Sequence, residues 1–215
     1  MTDIPRTRPF RTERFTAFVD AVVAIAMTLL ILPLMESVSE AASGHISTAE
    51  FLHEHSGQLL SFGLSFLLIA TFWMAHHRQY RDVEFVTGPL LWINVAWMAT
   101  IVWLPVPTAM IGQMDTDPLQ AVVYIGTLIM TQVTTLAGWL YLARHPELGT
   151  VSNETVGRGA IGDIAAIVLF AAALAIAVAS SPNGYAGLFL LLLSDPMSRL
   201  LNRLLRKRRS EPQVG

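Results

Sequence analysis

Asp20 carries the most chemical consequence in this chain. It stands at the head of an apolar run, residues 21–34, one and a half helical turns beyond Arg14. An ionised carboxylate costs about 3 kcal/mol at the bilayer centre and less near the interface, so it needs partners and a role. Two roles are open to it: a titrating relay, or an anchor that ties its helix to polar groups elsewhere. The plainest reading is an acid near a helix N-terminus that stabilises the helix dipole and nearby cations. Arg14 is not its neighbour on one helix, because facing pairs are three or four apart. Partners must come from other segments. Trp73, His76, His77 and Arg78 cluster near the end of a later apolar segment, and Asn94 lies near the start of the next.

Other polar groups are weaker candidates. His53 and His55 lie near Glu50 and Glu54, but the ligand set for a metal is incomplete and loop histidines are common. Thr131, Gln132, Thr134 and Thr135 fall inside an apolar segment and read as helix–helix contacts. Gly159, Gly162 and Asp163 open another and suit close helix packing. No cysteine is present, which excludes disulfides and thiolate metal sites. No cofactor is expected, and the reading is not that of an enzyme.

The elements that position these residues follow from composition. Of 215 residues, 53% are hydrophobic and 14% charged, and mean hydropathy is +0.51. A soluble domain carries about 25% charged residues. Charge has been cleared from long segments and pooled between them, which predicts an all-α polytopic membrane protein. Hydropathy places about six spans, at residues 16–35, 57–76, 89–111, 119–143, 159–180 and 185–204. Pro105 and Pro107 should bend or fray the far end of the third span. Ser181-Pro182-Asn183-Gly184 marks a turn after the fifth. Asp195-Pro196 makes the sixth the weakest. The chain divides into a basic N-terminal segment (1–15), the transmembrane domain (16–204) and a basic tail (205–215). Asp20 interrupts the first apolar run, which is long enough to span, so that run reads as a span and not as a cleaved signal.

Lys and Arg fall at Arg6, Arg8, Arg11 and Arg14, at Arg78 and Arg81, at Arg144 and Arg158, and from Arg199 to Arg209. The remaining loops hold Glu36, Glu40, Glu50, Glu54, Asp115 and Asp117 instead. With alternating loops this predicts that both termini are cytoplasmic. No repeat relates the two halves, which argues against an inverted-repeat transporter.

At about 100° per residue, Phe18, Val22, Ile25, Leu29 and Leu32 form one stripe on the first helix, with Ala21 and Thr28 at its edge. Asp20 lies about 140° round from Ile25. The carboxylate is therefore expected to pack inward against polar groups of its own subunit. The stripe would face lipid, as apolar membrane stripes ordinarily do, or another helix, or a symmetry axis.

Arg14-x-x-x-Phe18-Val19-Asp20, followed by Ala21-Val22-Val23-Ala24-Ile25-Ala26-Met27-Thr28-Leu29-Leu30-Ile31-Leu32, resembles the Arg-x-x-x-Phe-Ser-Asp signature of the transmembrane protein 175 family. Three further stretches are similar: Phe72-Trp73-Met74-Ala75-His76-His77-Arg78, Leu91-Trp92-Ile93-Asn94 and Leu104-Pro105-Val106-Pro107-Thr108. The resemblance covers residues 11–111. It implies a bacterial, inner-membrane potassium channel without a P-loop selectivity filter. It implies a homotetramer of six-span chains, with the first helix of each lining the pore. Carried over by position, Ile25 matches the hydrophobic constriction, Thr28 the threonine implicated in preferring potassium over sodium, and Leu32 a second apolar layer, with Leu29 on the same stripe. Arg14, Phe18, Asp20, Trp73, His77 and Asn94 match the structural network that anchors that helix. Val19 replaces the motif serine, which removes one hydrogen-bonding hydroxyl and keeps the charge.

The function expected is then a modestly selective potassium channel with a hydrophobic gate. Potassium would be bound only in passage. A proton channel or a secondary transporter of the same topology is the alternative. The basic tail is expected to meet anionic lipid, and no nucleic-acid partner is expected.

Overall fold

The computed structural model describes residues 10–115 and 117–179. The predicted sixth span (185–204) and the basic tail (205–215) lie outside the described residues. Among the described residues the chain is helical throughout, apart from one two-residue strand pair and short turns. The strands are β1 (Phe10–Arg11) and β2 (Phe85–Val86). The helices are α1 (Thr12–Leu29), α2 (Leu32–Ser43), α3 (Thr48–Glu54), α4 (Ser56–Tyr80), α5 (Gly88–Trp103), α6 (Pro105–Gln113), α7 (Pro118–Arg144) and α8 (Asn153–Ala179).

Five helical stretches are long and apolar enough to cross a membrane: Thr12–Ser43, Ser56–Tyr80, Gly88–Gln113, Pro118–Arg144 and Asn153–Ala179. They contain and extend the first four predicted spans, and the fifth as far as Ala179, because hydropathy ends where polar residues begin and a helix does not. The prolines set the interruptions. Pro33 has no N–H for the Leu29 carbonyl, and α1 stops at Leu29 before α2 resumes at Leu32. Pro105 has the same effect on Ile101, whose carbonyl takes the Leu104 N–H instead at 3.2 Å. The third span therefore breaks at Leu104 and continues as α6, a bend with no fraying. Prolines and caps also start helices. Asp117 accepts the Leu119 N–H at 2.9 Å ahead of α7, and Ser47 accepts that of Glu50 at 3.3 Å ahead of α3.

The core runs from α1 through α4 and α5 to α7 and α8. α1 packs on α4 and α5, α6 on α4, and α7 lies between α5 and α8. Polar staples cross these contacts, as expected where apolar burial alone gives little specificity between membrane helices. Ser65 and Tyr124 hydroxyls meet at 2.9 Å, and Thr108 donates to Ser65 at 2.8 Å. Thr131 donates to Thr100 at 2.9 Å, and Gln79 to the Thr135 carbonyl at 3.1 Å. Thr131 and Thr135 thus join helices as expected, whereas Thr134 bonds only within α7. A Cβ on Gly159 would enter the Trp139 ring, so α7 and α8 meet there at glycine distance.

One end of the bundle is clasped. β1 pairs antiparallel with β2, Phe10 opposite Val86 and Arg11 opposite Phe85. Val83 bridges Gly149, the Glu84 N–H donates to Leu148 at 2.8 Å, and the Thr150 N–H donates to Asp82 at 2.9 Å. The start of α1 and two basic loops therefore meet at the same end.

Candidate functional site

α1 buries Thr12, Phe15, Val19, Val23 and Ala26 on one face. Its other face is open: Phe18 is 59% exposed, Ile25 60% and Leu29 37%, with Thr28 exposed among them, and Leu32 at the start of α2 is 50% exposed. Val22, at the stripe's margin, packs partly against the core. Thr28 donates its hydroxyl to the Ile25 carbonyl at 2.7 Å, so the proton is committed to the helix and the oxygen keeps free lone pairs. The helix interruption caused by Pro33 falls directly after Leu29, between Thr28 and Leu32.

Of the six residues expected in one anchoring network, three come together: Asp20, Trp73 and His77. The Trp73 indole N–H donates to Asp20 Oδ1 at 2.7 Å, linking α1 to α4. His77 lies against Trp73 with ring centroids 6.1 Å apart. The expectation that Asp20 packs inward needs correction. The packed face centres on Val19, Val23 and Ala26, about 100° from Asp20, so the carboxylate lies on the flank and is only partly buried.

Phe18 and Arg14 are also corrected. Phe18 lies on the open stripe, and the aromatic that packs inward is Phe15, edge-on to Tyr80 at 6.0 Å. Arg14 is exposed, and the one ion pair among the described residues is Arg158 with Glu154. Both corrections share a cause. Arg14 and Phe18 are four apart and so occupy the face of Ile25.

Asn94 belongs to a second, fully buried network that the sequence reading divided wrongly. His76 Nε2 meets Asn94 Oδ1 at 2.7 Å, and Asn94 Nδ2 donates to the Tyr80 hydroxyl at 2.7 Å and the Leu90 carbonyl at 2.8 Å. The Leu90 carbonyl can only accept, which fixes the amide orientation. Oδ1 therefore faces His76, and Nε2 carries the proton. His76 stacks on Tyr80 at 4.6 Å and contacts the Trp97 ring at 4.3 Å. His76 is 3% exposed, a core residue and not an interfacial one. The signal in the sequence was the spacing of His76 and Tyr80, one turn apart and in phase with the buried Phe72.

Val19 is completely buried. Position 19 lies in the packed face of α1, where a valine gains apolar burial that a serine would not. His53 is exposed, and His55 stacks on Phe51 at 4.4 Å.

A family model described as the endosomal/lysosomal potassium channel TMEM175 matches residues 14–105. A potassium channel of Streptomyces collinus is 29% identical over 142 residues, 63% of this chain and 66% of that protein. A potassium channel of a Chryseobacterium species is 30% identical over 99 residues, 46% of this chain and 48% of that one. The human endosomal/lysosomal proton channel TMEM175 is 30% identical over 213 residues, 92% of this chain and 42% of its own length. The chain thus spans less than two thirds of these relatives. The family match begins at Arg14 and contains the rest of α1, both networks and the Leu104 break.

Proposed function

This chain belongs to the TMEM175 family of ion channels, multi-pass membrane proteins and not enzymes, and from that membership we propose that it forms a potassium-conducting cation channel. Four copies would surround an axis lined by α1. The observation that carries this reading is the open face of α1, from Phe18 through Ile25 to Thr28 and Leu29, opposite a tightly packed face and followed by the exposed Leu32 at the start of α2. Ile25 and Leu32 would form apolar rings that close by dewetting. Between them, Thr28 would offer one neutral oxygen per subunit. That is a weak ligand set, so potassium preference over sodium is modest.

The Asp20–Trp73 bond holds α1 to α4, the His76–Asn94–Tyr80 network holds α4 to α5, and neither touches the ion. Both termini are assigned to the cytoplasm by the basic loops, and the membrane is the inner membrane of a bacterium. The acidic loops of the opposite end would raise the local cation concentration. Anionic lipid would meet the basic tail.

The test is potassium flux into proteoliposomes, paired with oligomer mass in detergent. Ile25→Asn should raise the flux by wetting the constriction, and an unchanged flux in a normal tetramer overturns the pore assignment. A second reading, proton conduction, is favoured by the animal relatives named as proton channels and by the flank position of Asp20. It requires Asp20→Asn to remove proton flux and spare potassium flux.

A further inference from the structure

We propose that a cavity between α4, α7 and α8 binds the headgroup of an amine-bearing phospholipid, its ammonium on Asp163 and its phosphate on Arg78 and Arg158. The cavity holds about 340 Å³ and is lined by Thr71 and Arg78 of α4, Gln132 and Thr135 of α7, and Arg158 and Asp163 of α8. Its volume is at the lower end of small-molecule sites, which begin at about 300 Å³.

Asp163 is 9% exposed, and among the described residues its Oδ2 has no hydrogen-bond partner. A carboxylate held so deep in a membrane-crossing helix demands a cation or strong donors. Arg158 does not supply them. It is five residues earlier, about 140° round the helix, and its side chain is 55% exposed beside Glu154 at 3.9 Å. Arg78 is exposed in the last turn of α4. The cavity therefore has an acidic floor, which takes up its charge when a cation compensates it, and a positive rim.

That polarity selects the ligand. A free metal or alkali cation must pass two guanidiniums, and a simple anion must approach an uncompensated carboxylate. A phosphate joined to a primary ammonium satisfies both ends. The guanidiniums match phosphate oxygens in paired hydrogen bonds. The ammonium carries three donors, for Asp163 and for the Gln132 carbonyl and the Thr135 hydroxyl that line the same cavity. Thr135 commits its proton to the Thr131 carbonyl at 2.9 Å, which leaves its oxygen to accept. The rim arginines adjoin the clasped end of the bundle, where a headgroup layer lies. On α4, Thr71 and Arg78 lie about 100–160° from Trp73 and His77, so this site and the Asp20 anchor occupy different faces of the helix.

The test is native mass spectrometry of the full-length protein, delipidated and then offered phosphatidylethanolamine, phosphatidylcholine or phosphatidylglycerol with identical acyl chains. The ethanolamine lipid should be retained about tenfold better than the other two, the margin of one charge-assisted hydrogen bond. Asp163→Asn should abolish that margin, Asp163→Glu should keep much of it, and Arg78→Gln with Arg158→Gln should weaken all three lipids together. Equal or better retention of phosphatidylglycerol by the wild-type protein overturns the proposal, as does an ethanolamine preference that survives Asp163→Asn. The wild-type comparison stands even where a variant fails to fold.

Discussion

The indole N–H of Trp73 reaches Asp20 Oδ1 across 2.7 Å, joining residues 53 positions apart at one point on the flank of α1. The bond is partly exposed, which limits its worth, but its acceptor is a carboxylate and its geometry is short. Trp73→Phe keeps the ring and deletes the donor. It should destabilise the protein by about 1 kcal/mol, read as a lower thermal midpoint in detergent. Asp20→Asn should cost little more once Trp73 is already phenylalanine. Additive losses in the double variant would show that the two residues act separately.

Asn94 is the more costly position. Leucine there would strip a partner from the His76 ring and from the Tyr80 hydroxyl at once, both in the dry core. Asn94→Leu should cost about 2–4 kcal/mol, since stranded buried polar groups lose more than a hydrogen bond is worth. A denaturant titration in detergent against Trp73→Phe checks the ranking, which reverses if the exposed anchor dominates.

Two glycines should respond with opposite signs. A Cβ at Gly149 would strike the Asp82 carbonyl oxygen and come within 2.8 Å of the Val83 Cα, both backbone. Gly149→Ala should open the clasp and raise amide exchange at Glu84 and Thr150, whose N–H groups bond across it. Gly157, inside α8, has nothing within 4 Å of its Cβ direction. Gly157→Ala should stabilise by about 0.5–1 kcal/mol through helix propensity alone.

Thr28→Val keeps the volume of the side chain and removes its oxygen. If Thr28 supplies the polar ring between Ile25 and Leu32, potassium and sodium fluxes in proteoliposomes should become nearly equal, with the total flux of the same order. An unchanged flux ratio would take selectivity away from this position.

Much of the architecture was readable along the chain. The first five spans and the break at Pro105 follow from local properties: hydropathy over a membrane length and a proline's missing N–H. The open stripe of Ile25, Thr28, Leu29 and Leu32 also follows, because helical phase is set by the chain itself. Phase misled only where motif membership was given more weight than angle. Phe18 and Arg14 share the angle of Ile25, and the fold keeps them there.

The pairings were a different matter. Nothing in the segment around His76 shows that it, and not Asp20, takes Asn94. The clasp of residues 10–12, 82–86 and 148–150 is built from backbone groups that carry no side-chain signature. The unpartnered carboxylate of Asp163 emerges only once α4, α7 and α8 enclose it. The sequence by itself determined which segments are helices, where prolines interrupt them and which face of α1 is apolar throughout, because each depends on neighbours within a few turns. The tertiary structure decided which polar groups meet. That choice depends on how far each preformed helix slides and rotates against the next, a shift of a few ångströms that no local periodicity records.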